Sequence, residues 1–468
     1  MSSKFWSFWD VERSEYLKLV YLSLAFFFVI AAYTVMKDLK DSIFIYTVGR
    51  SYLPTAKILS MIVLIPAILL FSYLVDRMRR YRLLCAYSIA FSLIGFACAY
   101  LLGNPVVGLD NPVTSPNRWF GWFFFFFVEG YSPFIVSLFW AFANSINSPK
   151  ETKKYYSYMV AASKVGGIVT AAFSWYFFSC NFNSAVPISG TLKHQIIVAL
   201  SSALLLLVPV VIFFMVKTVP GYMLHGYEAV YKEEKAMKKA GKEKSGLFSG
   251  LWLLFKVPYV MGIFGIIFFY EVINVVLSYQ RLVLLDTGAK DVAELSCSLL
   301  EQMFYVHVFG LLIALFGTTY LLRKYGERKC LLFVPVSIGV LIAIFMAFGA
   351  WHFHVLTSVF VLMRSIHYAI SYPVREALYV PTLKEIKFKS KSWIDSFGQK
   401  FAKSFGSTFN KIAESVFVRY GASAFVSLEA AFFATLIGSW ILVAYFIGRR
   451  YSQVVKDNEI IGLSSDNK

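Results

Sequence analysis

Long apolar runs that carry ionic residues inside them constrain this chain more than any other feature. Such runs fall near residues 17–36, 52–75, 83–102, 120–145, 156–178, 195–216, 251–283, 300–322, 330–350, 353–382, 397–418 and 423–447. Roughly 20 apolar residues cross a bilayer as a helix, so the pattern predicts about twelve spans. Lys37, Lys40, Lys57, Glu129, Lys164, Glu271, Arg281, Arg364, Arg375, Glu376, Lys400 and Lys403 lie in or at the ends of those runs. A charge at the bilayer centre costs about 2.5–3.5 kcal/mol on insertion scales. It persists where it lines a watery cavity or meets a charged cargo. Most of these residues are cations, so the expected cargo is an anion.

Only 15% of the 468 residues are charged and 58% are hydrophobic, whereas a soluble domain carries roughly 25% charged residues. The chain reads as an all-α polytopic membrane protein. Its formal charge of +18 sits in short loops, as cytoplasmic membrane loops require, and no basic stripe on a soluble domain argues for nucleic acid. The cysteines Cys85, Cys98, Cys180, Cys297 and Cys330 are scattered, which supports neither a disulfide framework nor a zinc site. Histidines such as His352, His354 and His367 lack ligand spacing. No phosphate-binding glycine loop, nucleophile elbow or metalloprotease motif occurs. Neither an enzyme, a metal nor a cofactor is therefore expected.

The loops alternate in charge. One set holds Arg77, Arg79, Arg80 and Arg82, then Lys150, Lys153 and Lys154, then Lys217 to Lys244, then Arg323, Lys324, Arg328 and Lys329, then Lys384 to Lys391 and the C-terminal tail. The opposite set carries little: Arg118, Lys193, Lys290 and Arg419. The positive-inside rule puts both termini in the cytoplasm. The expected organisation is an amphipathic cytoplasmic segment at 1–16, a six-helix bundle at 17–216, a basic cytoplasmic linker at 217–250, a second six-helix bundle at 251–447 and a cytoplasmic tail at 448–468. Phe5, Trp6, Phe8 and Trp9 in the first segment suit an interfacial helix rather than a cleaved signal. The loops at 74–82 and 321–329 are short, basic and equivalently placed. The first, with Asp76-Arg77 and Arg79-Arg80, resembles the cytoplasmic loop motif of major facilitator transporters, although any tight cytoplasmic loop tends to be basic. A major-facilitator-like fold of two bundles is expected.

Several constellations suit an anionic cargo. Lys37, Lys40 and Asp41 share one helix face, and Lys57 lies early in the second run. A lysine ammonium suits phosphate; snorkelling to the headgroups is the alternative. Glu129 stands alone in an aromatic helix beside Tyr131, where it either pairs with a cation across the bundle or binds a proton. Trp140, Phe142 and Asn144 follow, as residues for a base or as packing. In the seventh run, Glu271, Asn274 and Arg281 stand out. Arg375 and Glu376 lie between Pro373 and Pro381, which are expected to break a helix at membrane depth. Lys400 and Lys403-Ser404 give the 397–418 run a polar stripe, read as a span facing a cavity, with a surface helix as the alternative.

The blocks Lys37-Asp38-Leu39-Lys40-Asp41, Leu138 to Asn144 followed by Glu151 to Tyr156, and Arg375 to Pro381 followed by Trp393-Ile394-Asp395 and Gly398 to Gly406 resemble the nucleotide transporters of the bacterial and plastid ATP/ADP translocase type. The resemblance implies twelve helices and a major-facilitator-like architecture. It also implies transport of ATP, ADP or a related nucleotide, with phosphate or protons as co-substrates. Lys40, Glu129 and Lys403 match charged positions of that family, and Arg375 stands where the family has lysine. In the seventh run the family carboxylate position is Leu277, and Glu271 appears a turn earlier. The substrate-binding set expected is Lys40, Lys57, Glu129, Tyr131, Asn144, Glu271, Asn274, Arg281, Arg375, Glu376, Lys400 and Lys403, with no catalytic residue. Exchange by alternating access is the first reading. Proton-coupled import of a nucleotide, NAD or another phosphorylated metabolite is the second, with Glu129 or Glu271 carrying the proton. The expected setting is the inner or plasma membrane of an intracellular bacterium, as a monomer in the lipid bilayer.

Overall fold

The computed structural model describes residues 13–147, 149–179, 188–220, 249–349, 353–379, 381, 382, 386, 390–457, 459 and 461. The N-terminal segment and nearly all of the basic linker lie outside these residues. Among the described residues the chain is helical, with one isolated bridge between Thr382 and Ile461.

The first span is Arg13–Thr47 and the second Leu53–Arg77. The third is Arg80–Leu102, the fifth Pro149–Ser179 and the sixth Gly190–Thr218. Between the third and fifth, Trp119–Tyr131, a π-turn at Ser132–Val136 and Ser137–Ile146 run on as the fourth. After a short helix at Ser249–Lys256, the seventh span is Pro258–Gly288. The eighth and ninth are Val292–Leu322 and Lys324–Phe348. The tenth runs from Phe353–Ile366 through a π-turn at His367–Ser371 to Tyr372–Leu378. The long Gln399–Asp457 helix divides at Gly421 into the eleventh and twelfth. Gly326, near the start of the ninth span, and Gly421, between the eleventh and twelfth, take φ of 73° and 82°, a conformation that glycine adopts without strain.

Among the boundaries that differ from the hydropathy runs, two are informative. The first helix continues eleven residues past 36, because Lys40 is paired with carboxylates inside the protein instead of ending the span. The 251–283 run is two helices, parted before Pro258, which starts the seventh span at a position where a missing N–H costs nothing. At Pro373 the expected break is absent: the helix passes through the preceding π-turn, whose wider ladder accommodates the ring. Pro381 follows the end of the helix at Leu378.

The chain divides into two compact units. One comprises 1–50, 63–244 and 290–304, the other 51–62, 245–289 and 305–468. Thus the start of the second span belongs with the second unit, and the start of the eighth with the first. Inside the first unit, Gly166 of the fifth span crosses the first span so closely that a Cβ would lie 2.6 Å from the Phe27 carbonyl. Inside the second, a Cβ on Gly406 of the eleventh span would lie 3.0 Å from the Val272 carbonyl of the seventh. The first crossing pairs the first and fifth spans and the second the seventh and eleventh, the same interval along the chain. Backbone approach of this kind is how helices pack where lipid removes the hydrophobic drive between them.

Several charged residues lie in the interior while many large apolar ones face outward, unlike a soluble protein. Lys18, Lys40, Arg281, Arg364 and Glu429 are buried, while Tyr100, Phe316, Phe348 and Val418 are exposed. Buried lysines also close helix ends: Lys18 Nζ donates to the Ile146 carbonyl at 3.3 Å and Lys193 Nζ to the Phe178 carbonyl at 3.0 Å. Cations suit the negative C-terminal end of a helix. Arg118 folds the 103–118 loop by donating to the carbonyls of Val107, Gly108, Asn111 and Val113.

Candidate functional site

In the first unit, Lys40 reaches from the first span to the fourth. Its ammonium lies 2.7 Å from Glu129 Oε1 and 3.2 Å from Asp41 Oδ1. The Phe125 ring covers it, with the centroid at 4.3 Å, a favourable cation–π geometry. Lys40 is 3% exposed, so its charge is held by two carboxylates and a ring. Glu129 stands three residues before the π-turn at Ser132–Val136; such turns cluster at functional sites. Tyr131 is a brace. Its hydroxyl donates to the Val29 carbonyl at 2.9 Å and its ring stacks on Tyr33 at 5.2 Å. Trp140 packs in the interior against Phe26 and Phe139, and the Asn144 side chain lies outside the described residues.

The second unit holds two charged clusters. In one, Arg281 and Arg364 flank the same Phe360 ring, at 3.9 and 5.0 Å from its centroid. Both guanidinium groups are buried, and two like charges around one ring favour an anion beside them. Close in sequence to Arg281, Glu271 and Asn274 share a face of the seventh span, and Glu271 Oε2 and Asn274 Oδ1 are buried without a hydrogen-bond partner. Tyr270 stacks on His367 of the tenth-span π-turn.

In the other cluster, the tenth span is tied to the segment before the eleventh. Arg375 Nη2 lies 3.9 Å from Asp395 Oδ1, and Lys391 Nζ 2.5 Å from Glu376 Oε2. Tyr372 lies under the Arg375 guanidinium at 4.8 Å and Tyr379 under Lys391 at 5.4 Å. The adjacent residues Arg375 and Glu376 thus make two separate ion pairs of opposite polarity. Another π-turn, Ile394–Gly398, leads from this cluster into the eleventh span.

The eleventh helix is amphipathic in the inverted sense. Lys400, Ser404, Ser407 and Asn410 are buried, while Phe401, Phe405 and Ile412 face out. From Gln399 to Gly421 it is long enough to cross a bilayer, at about 1.5 Å per residue. Lys403 is half-buried on this helix, as is Lys57 on the second span. Ser404 Oγ meets Met61 Sδ at 3.9 Å.

Sequence reasoning placed several partners outside the site. Asp395 and Lys391 complete the Arg375–Glu376 cluster, and Phe360 with Arg364 completes that of Arg281. Glu429 of the twelfth span, 3% exposed, accepts from Gln280 Nε2 of the seventh. Its signal was a single carboxylate within an apolar run, the same signal that drew attention to Glu129.

Inward-facing charges on long lipid-compatible rods, in two units of repeated helix packing, define a polytopic all-helical membrane protein. The fold resembles that of a D-xylose-proton symporter, with a TM-score of 0.63 and 16% identity over 92% of this chain and 97% of that one. It also resembles the nucleoside transporter NupG, with a TM-score of 0.52 and 12% identity over 93% and 98% of the two chains. Residues 2–451 match the family described as TLC ATP/ADP transporter, and the chain belongs to that family. Among its relatives, ADP,ATP carrier protein 4 of Rickettsia conorii is 22% identical over 438 residues, 84% of each chain. The chloroplastic ADP,ATP carrier protein 1 of Arabidopsis thaliana is 24% identical over 431 residues, 82% of this chain and 66% of that protein.

Proposed function

We propose that this protein carries ATP and ADP, or a closely related nucleotide, across a membrane by alternating access, as an exchanger. The observation that supports this most is the Lys40–Glu129 pair. A lysine at this depth is held ready by carboxylates that a polyphosphate can replace as its partner. In the empty protein, Glu129 and Asp41 limit the cost of burying the ammonium. When a phosphate takes over, the cation changes partner rather than losing one. The second unit by itself holds cations suited to a polyphosphate, Arg281 with Arg364 and Arg375 with Lys391, and arginine adds bidentate contacts. Lys57, Lys400 and Lys403 join this set. The protein acts as a carrier and performs no catalysis on its cargo, and works as a monomer in the inner or plasma membrane of an intracellular bacterium, with both termini cytoplasmic.

Proteoliposomes test exchange directly. Uptake of labelled ATP is expected to depend on ADP loaded inside; equal uptake into empty vesicles would remove the exchange reading.

Proton-coupled import is a second reading, favoured by Glu271, whose Oε2 is buried without a hydrogen-bond partner. In that case Glu271→Gln is expected to abolish the stimulation of uptake by an inward proton gradient while leaving gradient-free counterflow intact. A mutant that still responds to the gradient excludes Glu271 as the proton carrier.

A further inference from the structure

Between the third and sixth spans of the first unit, where the third begins and the sixth ends, lies an apolar crevice of about 430 Å³. Tyr81, Cys85, Pro209, Val210, Phe213 and Val216 line it. Pro209 sits inside the sixth-span helix, where it leaves one backbone hydrogen bond unmade and interrupts regular side-chain packing. From Pro209 to Val216 the slot follows the sixth span for roughly 10 Å, at about 1.5 Å per residue. One of its lining residues, Tyr81, belongs to the basic 74–82 loop.

That rim is cationic. Arg82 lies over the Tyr81 ring at 5.8 Å, and its Nε donates to the Tyr81 hydroxyl at 3.1 Å. Tyr81 therefore connects the apolar lining to a guanidinium. Arg79 and Arg80 precede it, and Lys217 directly follows Val216. The 74–82 loop sets Asp76 against Arg77, Arg79, Arg80 and Arg82. The third span has no acidic residue in its first turn, and no side chain caps its N-terminus.

The second unit provides a comparison. Its slot between the ninth and twelfth spans, about 420 Å³, is lined by Val336, Gly339, Met346, Phe433 and Ile437, and like the first-unit slot has no charged residue in its lining. It begins at Val336, eight residues past Arg328, about 12 Å along the helix. An acyl chain alone fits there. The first-unit slot joins apolar walls to a cluster of cations at one end, the chemistry of a phospholipid with a negative headgroup.

We propose that the crevice between the third and sixth spans binds one anionic phospholipid. Its acyl chain lies along Val210–Val216 and its phosphate rests on Arg82 and the neighbouring Arg79 and Arg80. Loop charge that orients the protein would then also hold a structural lipid.

The test uses the full-length protein purified in detergent and exposed to mixed micelles of phosphatidylglycerol and phosphatidylcholine, with bound lipid counted by native mass spectrometry. One phosphatidylglycerol is expected to remain at energies that strip phosphatidylcholine. Its retention is expected to fall at least five-fold in Arg79→Gln/Arg80→Gln/Arg82→Gln and in Val210→Trp, which fills the slot and keeps every charge. Glycerol phosphate, the headgroup without chains, is expected not to displace it. Equal retention of the two lipids, unchanged retention in Val210→Trp, or displacement by glycerol phosphate would each overturn the proposal. Gel filtration confirms that both variants remain folded, and Val210→Trp carries the test alone if the triple variant does not.

Discussion

Lys40→Ala is expected to lower uptake of labelled nucleotide into proteoliposomes about a hundred-fold, equivalent to about 2.7 kcal/mol. Two effects act together. The cargo loses a buried cation, and Glu129 and Asp41 lose the ammonium that sits 2.7 and 3.2 Å from them. Removing one partner of a buried pair typically costs about 3–5 kcal/mol, because the remaining charge is stranded. Loss of uptake alone would thus not separate a transport role from a folding role. The exchange of charges does. Lys40→Glu combined with Glu129→Lys rebuilds the pair with its ends reversed. The double variant is expected to recover expression and thermal stability, and uptake is expected to stay low, because the cation now projects from the fourth span. Full recovery of uptake would show that the pair only holds the first and fourth spans together.

Arg375→Ala is expected to reduce uptake by a similar factor and to lower the thermal midpoint of the purified protein. Arg375 is 5% exposed, with Asp395 at 3.9 Å and the Tyr372 ring beneath it. Its loss strands Asp395 and weakens the tie between the tenth span and the start of the eleventh. Arg375→Lys is expected to retain uptake within about five-fold, because the point charge survives while the planar fork and ring stacking are lost. A thermal double-mutant cycle with Asp395→Asn measures the pair directly. Additive losses in the cycle would place the Asp395 contact outside the role of Arg375. Uptake in Arg375→Lys as low as in Arg375→Ala would mean that the fork, and not the charge, is what the site uses.

Most of the rods were legible in the sequence: about twelve spans were expected, and among the described residues nine helices are long and apolar enough to cross a membrane. Their ends were less so. A run-based reading stops the first helix at Lys37, but Lys40 is buried among groups that neutralise it, so the helix continues to Thr47. Glu129 stood out because an isolated carboxylate in an aromatic helix must find a partner. That the partner is Lys40, 89 residues away, follows only from how the first and fourth spans pack. Asp395 and Lys391 were visible as charges, yet their pairing with Arg375 and Glu376 depends on how the chain returns after Leu378. The π-turns were invisible, because widening one turn of a helix leaves no mark on hydropathy. They explain why Pro373 does not end the tenth span.

The glycine crossings mark where this chain can be engineered and where it cannot. A methyl group on Gly166 would collide with the backbone of a neighbouring rod, and one on Gly406 would press on it at 3.0 Å, so stabilisation campaigns should hold both positions fixed. Gly438 has no atom within 4 Å of a prospective Cβ and sits within a regular helix. Alanine there would stiffen the unfolded chain without disturbing its surroundings, which makes it a natural first position for a thermostabilised variant.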